Sequence, residues 1–376
     1  SRVLRADPAR KGLLYAGTES GMYVSFDDGL SWKTFQLNLP IVPITDLTIK
    51  DNNLIAATQG RSFWIIDDIT PLHQLNNEVA AKPFYLFKPM NTYRMGGGNG
   101  ATSKTAGTNH PGGVLVNYYL KDTAKTDTIR LAFKEMDGDV IKVFSNYPDK
   151  ENDESQLKTV PGMNQMNWNM RYKGATTFPG MILWWATTNG PTAVPGEYTV
   201  SMSVNGMEQN QTFELVKDPR SSSSQEDLQE QFDFMIAVRD KLSEANQAVI
   251  DIRKVRAQIN DVVKKAGEEN EEVTKMGKEI LADMKTIEEA LYQTKNESRQ
   301  DPLNFPIRLN NKVGHLASLT SIGDYKPTDQ AQAFFTEVSA DIDAQIADLE
   351  LILGDRIDAF NKAVYDSKID AVKLEE

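Results

Sequence analysis

The chain has no cysteine, and that absence removes disulfides, thiolate zinc sites, cysteine nucleophiles and iron–sulfur clusters from consideration. It has only three histidines, His73, His110 and His315, far apart and without an HxH or HExxH pair, so no histidine-based metal site is expected. It also lacks any apolar run of the length a membrane span needs, and no charged-then-apolar leader opens it. The acidic C-terminal half has no electrostatic footprint for nucleic acid or anionic lipid, since either partner needs clustered Lys and Arg, and both are set aside. The formal net charge is −12 over 376 residues, and it is unevenly placed. Residues 225–376 hold 31 Asp and Glu against 19 Lys and Arg, whereas residues 1–224 hold 22 of each. Two differently built halves are therefore joined in one chain.

The first eighty residues carry an internal repeat. A shift of 40 aligns Leu14, Ala16, Thr18, Asp27 and Asp28 with Leu54, Ala56, Thr58, Asp67 and Asp68, and sets Tyr23 opposite Phe63. Each copy reads as two short strands around a turn, and a period of this length suggests a propeller blade. Ser25-Phe26-Asp27-Asp28-Gly29-Leu30-Ser31-Trp32 fits the Asp-box pattern S-x-D-x-G-x-x-W, with Ser25, Asp27, Gly29 and Trp32 at the fixed positions. Short polar side chains there close a hairpin turn, and the Trp is expected to plug a blade.

With Leu14–Glu19 before it and Thr58–Trp64 after it, this segment resembles the closing blades of a BNR/Asp-box propeller of the sortilin (VPS10)-like type, a type often labelled glycosyl hydrolase in bacteria. The resemblance covers about residues 1–75. It implies an extracytoplasmic location, secreted, periplasmic or in the outer envelope. One or two blades cannot bury both their faces, so the chain is expected to be the end of a larger, truncated or processed protein that supplies the remaining blades. In such families the Asp-box is a folding element on blade turns. Asp27, Asp28, Asp67 and Asp68 could be imagined as paired carboxylates for glycoside hydrolysis, but the folding role is the stronger reading. Sialidases with this repeat use three arginines, and only Arg61 occupies a suitable blade position here. The catalytic Asp residues of family-74 glucanases would belong to blades absent from this chain. No catalytic residue, metal site or cofactor is assigned.

Residues 81–113 read as a linker. Within it Lys82–Pro89 reads as a short strand between prolines, and 95–113 as a mobile glycine-rich loop without the Lys-Ser/Thr or helix of a phosphate loop. From 114 to 219 the chain alternates with period two and turns at Asp137-Gly138 and Asn205-Gly206, which predicts antiparallel hairpins and an immunoglobulin or fibronectin-III-like sandwich of about seven strands. Trp168 sits on an alternating strand and is expected in the core. Trp184 and Trp185, if extended, point to opposite faces, and one of them is a candidate surface for a glycan or a partner. Two glycosylation triplets, at Asn210 and Asn296, are assigned no modification.

Residues 220–376 predict an acidic helical bundle. Serines 221–224 with Glu226 and Asp227 cap a long helix whose stripe runs from Leu228 to Ala266, interrupted by Arg256 at an inward position. Gly267 and the acidic run Glu268–Glu272 mark a turn. A second stripe, Val273 to Leu291, pairs antiparallel with the first. A third helix carries Ile307, Leu309, Val313, Leu316 and Leu319, and a fourth, capped by Thr328, carries Phe335 to Phe360. The Glu-x-x-His pairs of a di-metal bundle are absent.

The fold expected is thus multidomain β plus α: terminal propeller blades in 1–80, a linker, a sandwich and a helical bundle. The expected work is non-catalytic binding of a protein, peptide or glycan, with an envelope protein or a glycan as partner and neither nucleic acid nor membrane insertion. Two alternatives stay open: an accessory C-terminal region of a BNR-type glycoside hydrolase with its active site upstream, and a structural dimerisation arm.

Overall fold

A computed structural model describes residues 1–370 apart from 99–102, 104–105, 125, 150–151 and 268, so part of the glycine-rich loop and Glu268 of the acidic run lie outside the described residues. The chain is mixed β plus α and forms two compact units, Ser1–Met170 with Pro195–Asp218 and Arg171–Val194 with Pro219–Glu376.

The first unit begins with two antiparallel meanders. Strands β1 (Val3–Ala6), β2 (Leu14–Thr18), β3 (Gly21–Ser25) and β4 (Lys33–Thr34) pair in sequence order, as do β5 (Ile44–Lys50), β6 (Asn53–Thr58) and β7 (Phe63–Ile66). Period-two alternation sends Tyr15, Met22 and Val24 from one sheet and Leu47, Leu54 and Ala56 from the other into a shared core with Ile44 and Ile69. The 40-residue repeat survives in the backbone: Asp28 and Asp68, aligned by the shift, take left-handed φ values of 60° and 64°. Two short helices, α1 (Thr70–Gln74) and α2 (Asn77–Ala81), follow.

The expected linker is instead part of the next sheets. Strand β8 (Phe84–Leu86) buries Phe84 and Leu86 and pairs with β10 (Val114–Leu120), while β9 (Thr92–Arg94) runs parallel to the end of β16 (Met207–Lys217). β8 therefore extends the sheet along the edge of β10 that β14 does not occupy. The described ends of the glycine-rich loop are bridged at Gly96 and Gly112 rather than loose. The remaining strands are β11 (Ile129–Lys134), β12 (Val140–Ser145), β13 (Ser155–Gln156), β14 (Gly162–Trp168) and β15 (Gly196–Val204). They complete a three-stranded sheet, β14-β10-β8, and a six-stranded one, β13-β12-β11-β15-β16-β9. Both predicted hairpins are antiparallel, and Asn205 and Gly206 turn with φ of 50° and 83°. The sheets meet across Trp168, fully buried and stacked on Phe133 with centroids 4.4 Å apart.

The second unit is helical. Helix α3 (Gln225–Ala266) starts in a capping box in which Ser224 accepts from the Asp227 amide and Asp227 accepts from the Ser224 amide. Helix α4 (Glu271–Leu291) returns along it, and α5 (Leu309–Thr320) and α6 (Asp329–Leu351) pack against the pair. Thr328 caps α6 through the Ala331 amide, and a π-helical turn at Ile352–Arg356 joins α6 to α7 (Ile357–Asp366). Val238, Leu242, Val249, Ile252, Ile280, Met284, Val313 and Ile342 form the centre of one core. Such side chains contribute roughly 1.5–3 kcal/mol each on burial, far more than helix propensity. Leu319, expected inward, is half exposed at the end of α5, whose buried face is Val313, Leu316 and Ala317 together with Asn310 and Asn311 of the first turn.

The chain passes from the first unit to the second at Asp218/Pro219, beside the boundary expected at 219, but one interior segment departs from expectation. Residues 171–194, expected among the strands, belong to the helical unit. They are held there by side-chain hydrogen bonds to main-chain groups, which leave no trace in hydrophobic periodicity. Thr176 accepts from Asn246 Nδ2 at its carbonyl (2.7 Å) and donates its amide to Ser243 Oγ (3.1 Å). Ile182 donates to the Tyr292 hydroxyl (3.1 Å), and Phe178 enters the helical core edge-on to Tyr292.

Candidate functional site

The four Asp-box residues come together in the turn that follows β3. Ser25 Oγ donates to Asp27 Oδ1 (2.8 Å) and accepts the Gly29 amide (2.9 Å); the Ser31 amide reaches Asp27 Oδ1 (2.8 Å) and its hydroxyl donates to Oδ2. Asp28 and Gly29 adopt left-handed φ, 60° and 89°, which a glycine accommodates without strain. Hydrogen bonds from the Ser31 hydroxyl and amide, and then from Ser25, hold the Asp27 carboxyl down to about 2. Both its oxygens are engaged by the turn, an arrangement suited to closing a loop and poorly suited to proton transfer.

Trp32 departs from its expected place. Its indole N–H donates to the Gly29 carbonyl (3.1 Å), folding the ring over its own turn, and the residue is 39% exposed rather than plugging a core. The cause is its position: it directly precedes β4, the edge strand of the meander.

The second copy of the repeat is built differently around Asp68. This carboxylate is buried, accepts from Thr70 and takes a hydrogen bond from Asn117 Nδ2 (3.1 Å); burial raises it above its ordinary value. A cluster that pattern reading missed lies close by. Asp7, whose side chain is wholly buried, accepts from the amides of Ala9 (2.8 Å) and Arg10 (2.9 Å), from the Tyr15 hydroxyl (3.1 Å), and from His73 Nε2 (2.9 Å). Burial alone would raise Asp7, but these donors outweigh it and set the carboxyl below the usual range. All four partners are met within the fold, so the cluster fastens β1 and β2 to α1. Its signal, one Asp and one His 66 residues apart, has no local pattern.

Trp184 and Trp185 lie outside any strand. Trp185 takes a left-handed φ of 52°, which breaks the extended geometry that would have sent the rings to opposite faces; their centroids are 6.4 Å apart. Trp184 is half-buried and Trp185 is 73% exposed. Asn311 and His315 of α5 bind their main chain: Trp184 N and O meet Asn311 Oδ1 and Nδ2 at 2.6 and 2.9 Å, and Trp185 O lies 2.9 Å from His315 Nδ1. A single exposed indole on a loop with a fixed backbone can stack on an apolar surface, but one ring gives little selectivity.

Arg256, the residue that broke the α3 stripe, is matched from α4. Glu288, only 3% exposed at its side chain, receives Arg253 Nε on one oxygen (2.7 Å) and Arg256 Nη2 on the other. Arg253 also lies over the rings of Phe178 and Tyr292, 4.7 and 5.5 Å from their centroids. Glu288 directly follows the apolar Ile287 of the α4 stripe, and only the facing helix reveals its role.

Among the described residues, no group of three or more His, Asp and Glu is arranged to hold a metal ion, and no helix is long and apolar enough to cross a membrane. No protein-family model matches the chain, and no curated protein is significantly similar to it.

Proposed function

We propose that this chain is the non-catalytic binding region of an extracytoplasmic, sortilin-like Asp-box propeller protein, in which two propeller blades, an immunoglobulin-like sandwich and a helical bundle hold or contact a protein, peptide or glycan partner in the cell envelope. The observation that carries the reading is the Asp27 turn. Its carboxylate is consumed by Ser25 and Ser31 as a folding element, so the most acidic motif of the repeat is occupied by structure rather than by chemistry. Two stacked antiparallel meanders with a 40-residue repeat support the blade assignment, and the exposed Phe63 and Ile65 of β7 give an apolar face that a further blade would cover. The two sheets joined through Trp168 support the sandwich.

The test is cell fractionation with external protease. The protein should be recovered outside the cytoplasm and should release no sugar from envelope polysaccharides. Recovery in the cytosol, or polysaccharide cleavage, would count against the proposal; cleavage would favour the accessory region of a glycoside hydrolase.

A further inference from the structure

The Arg253–Glu288–Arg256 cluster opens onto a groove of about 780 Å³ between α3 and α4, which Asn260, Leu281, Lys285 and Thr294 also line. Its chemistry is unlike the rest of this acidic half of the chain. Each guanidinium carries five N–H donors, and Glu288 takes one from each. Among the described residues no other carboxylate lies within ion-pair distance of either arginine. Buried Glu288 holds both guanidinium groups and the rings of Phe178 and Tyr292 support Arg253, so two arginines that each give Glu288 a single donor line the groove in fixed positions. An arginine immobilised in this way loses little entropy when it binds a ligand.

The charge balance selects the ligand. Arg253, Arg256 and Lys285 face Glu288 and Glu289, leaving one net positive charge at the groove. A chain of net charge −12 repels polyanions, whereas a single carboxylate matches the residual charge and the planar fork of an arginine. Asn260 offers both a donor and an acceptor, the complement of a peptide amide, and Leu281 with Ala257 gives the groove an apolar wall. We infer that this groove is a binding site for the C-terminal carboxylate of a peptide with an apolar last residue. Arg253 and Arg256 take the carboxylate, Lys285 adds charge at the rim, and Asn260 meets the adjoining amide. The inference concerns the helical unit alone and does not depend on the propeller reading.

The probes are N-acetyl-leucine and N-acetyl-leucinamide, titrated into the full chain while the arginine Nε–Hε resonances are followed by NMR. The acid should shift the Arg253 and Arg256 signals saturably in the millimolar range, and the amide should not. Arg256→Gln should weaken binding about tenfold, the loss of one charge-assisted hydrogen bond. Because that change also disturbs Glu288, Lys285→Gln serves as the second variant. Lys285 is 69% exposed, so this protein should melt like the wild type and still bind the acid more weakly. No saturable shift, equal shifts with acid and amide, unaltered binding to Lys285→Gln, or tighter binding of inorganic phosphate or D-glucuronate would each overturn the assignment.

Discussion

Asn311 and the main chain of Trp184 satisfy each other reciprocally: the Trp184 amide donates to Asn311 Oδ1 at 2.6 Å, and Asn311 Nδ2 donates to the Trp184 carbonyl at 2.9 Å. Asn311 is 4% exposed, so the pair is made where water does not substitute freely. Asn311→Ala should cost about 2–4 kcal/mol, two hydrogen bonds plus stranded main-chain groups. Urea denaturation measures the loss, and limited proteolysis should find new cleavage within 171–194. Asn311→Asp keeps only the acceptor and should fall between the two.

Glu288 is the shared anchor of two arginines on the neighbouring helix. Glu288→Gln should lower stability by about 1–3 kcal/mol, less than a fully buried pair would lose because both guanidinium groups retain partial access to solvent. The urea midpoint should drop without a change in the slope of the transition.

Asp7 and Asp68 have opposite acid-side behaviour. The folded pKa of Asp7 lies below its ordinary 3.8, so its contribution is present above that value and is lost as pH falls through the lower, folded one. The folded pKa of Asp68 lies above 3.8, so its contribution is complete below 3.8 and disappears as pH rises through the raised value. Asp7→Asn should therefore flatten the loss of stability in acid, and Asp68→Asn should be neutral or stabilising at pH 7. Denaturation curves across the acid range distinguish the two.

Gly277 is buried in α4 against α3 and α7. A Cβ there would lie 2.4 Å from Val263 Cγ2 and 3.2 Å from Phe360 Cε2. Gly277→Val should cost about 1–3 kcal/mol through overpacking, in spite of valine's better helix propensity. A thermal melt that rises instead would show that the helices can separate at this point.

What periodicity could show, it showed. The long stripe of α3, the Ser224 and Thr328 caps, the Asn205-Gly206 hairpin and buried Trp168 all follow from local pattern and turn chemistry. The place of residues 171–194 is not legible in the sequence because their attachment runs through Ser243, Asn246, Tyr292 and Asn311, polar side chains that bind a distant main chain and leave no repeat. Strand β8 was legible as a strand, but its partner β10 was not, because pairing across thirty residues has no sequence signature. Asp27 was legible as a turn residue from its motif. Asp7 with His73, and Glu288 with its two arginines, required the fold.

The most direct measurement on the proposed binding role is native co-purification of the intact protein from gently solubilised envelope, with and without the helical unit, and mass spectrometry of the eluate. The account predicts one constant stoichiometric partner that disappears when the helical unit is removed. A protein that elutes alone in both forms and cleaves an envelope polysaccharide would contradict it.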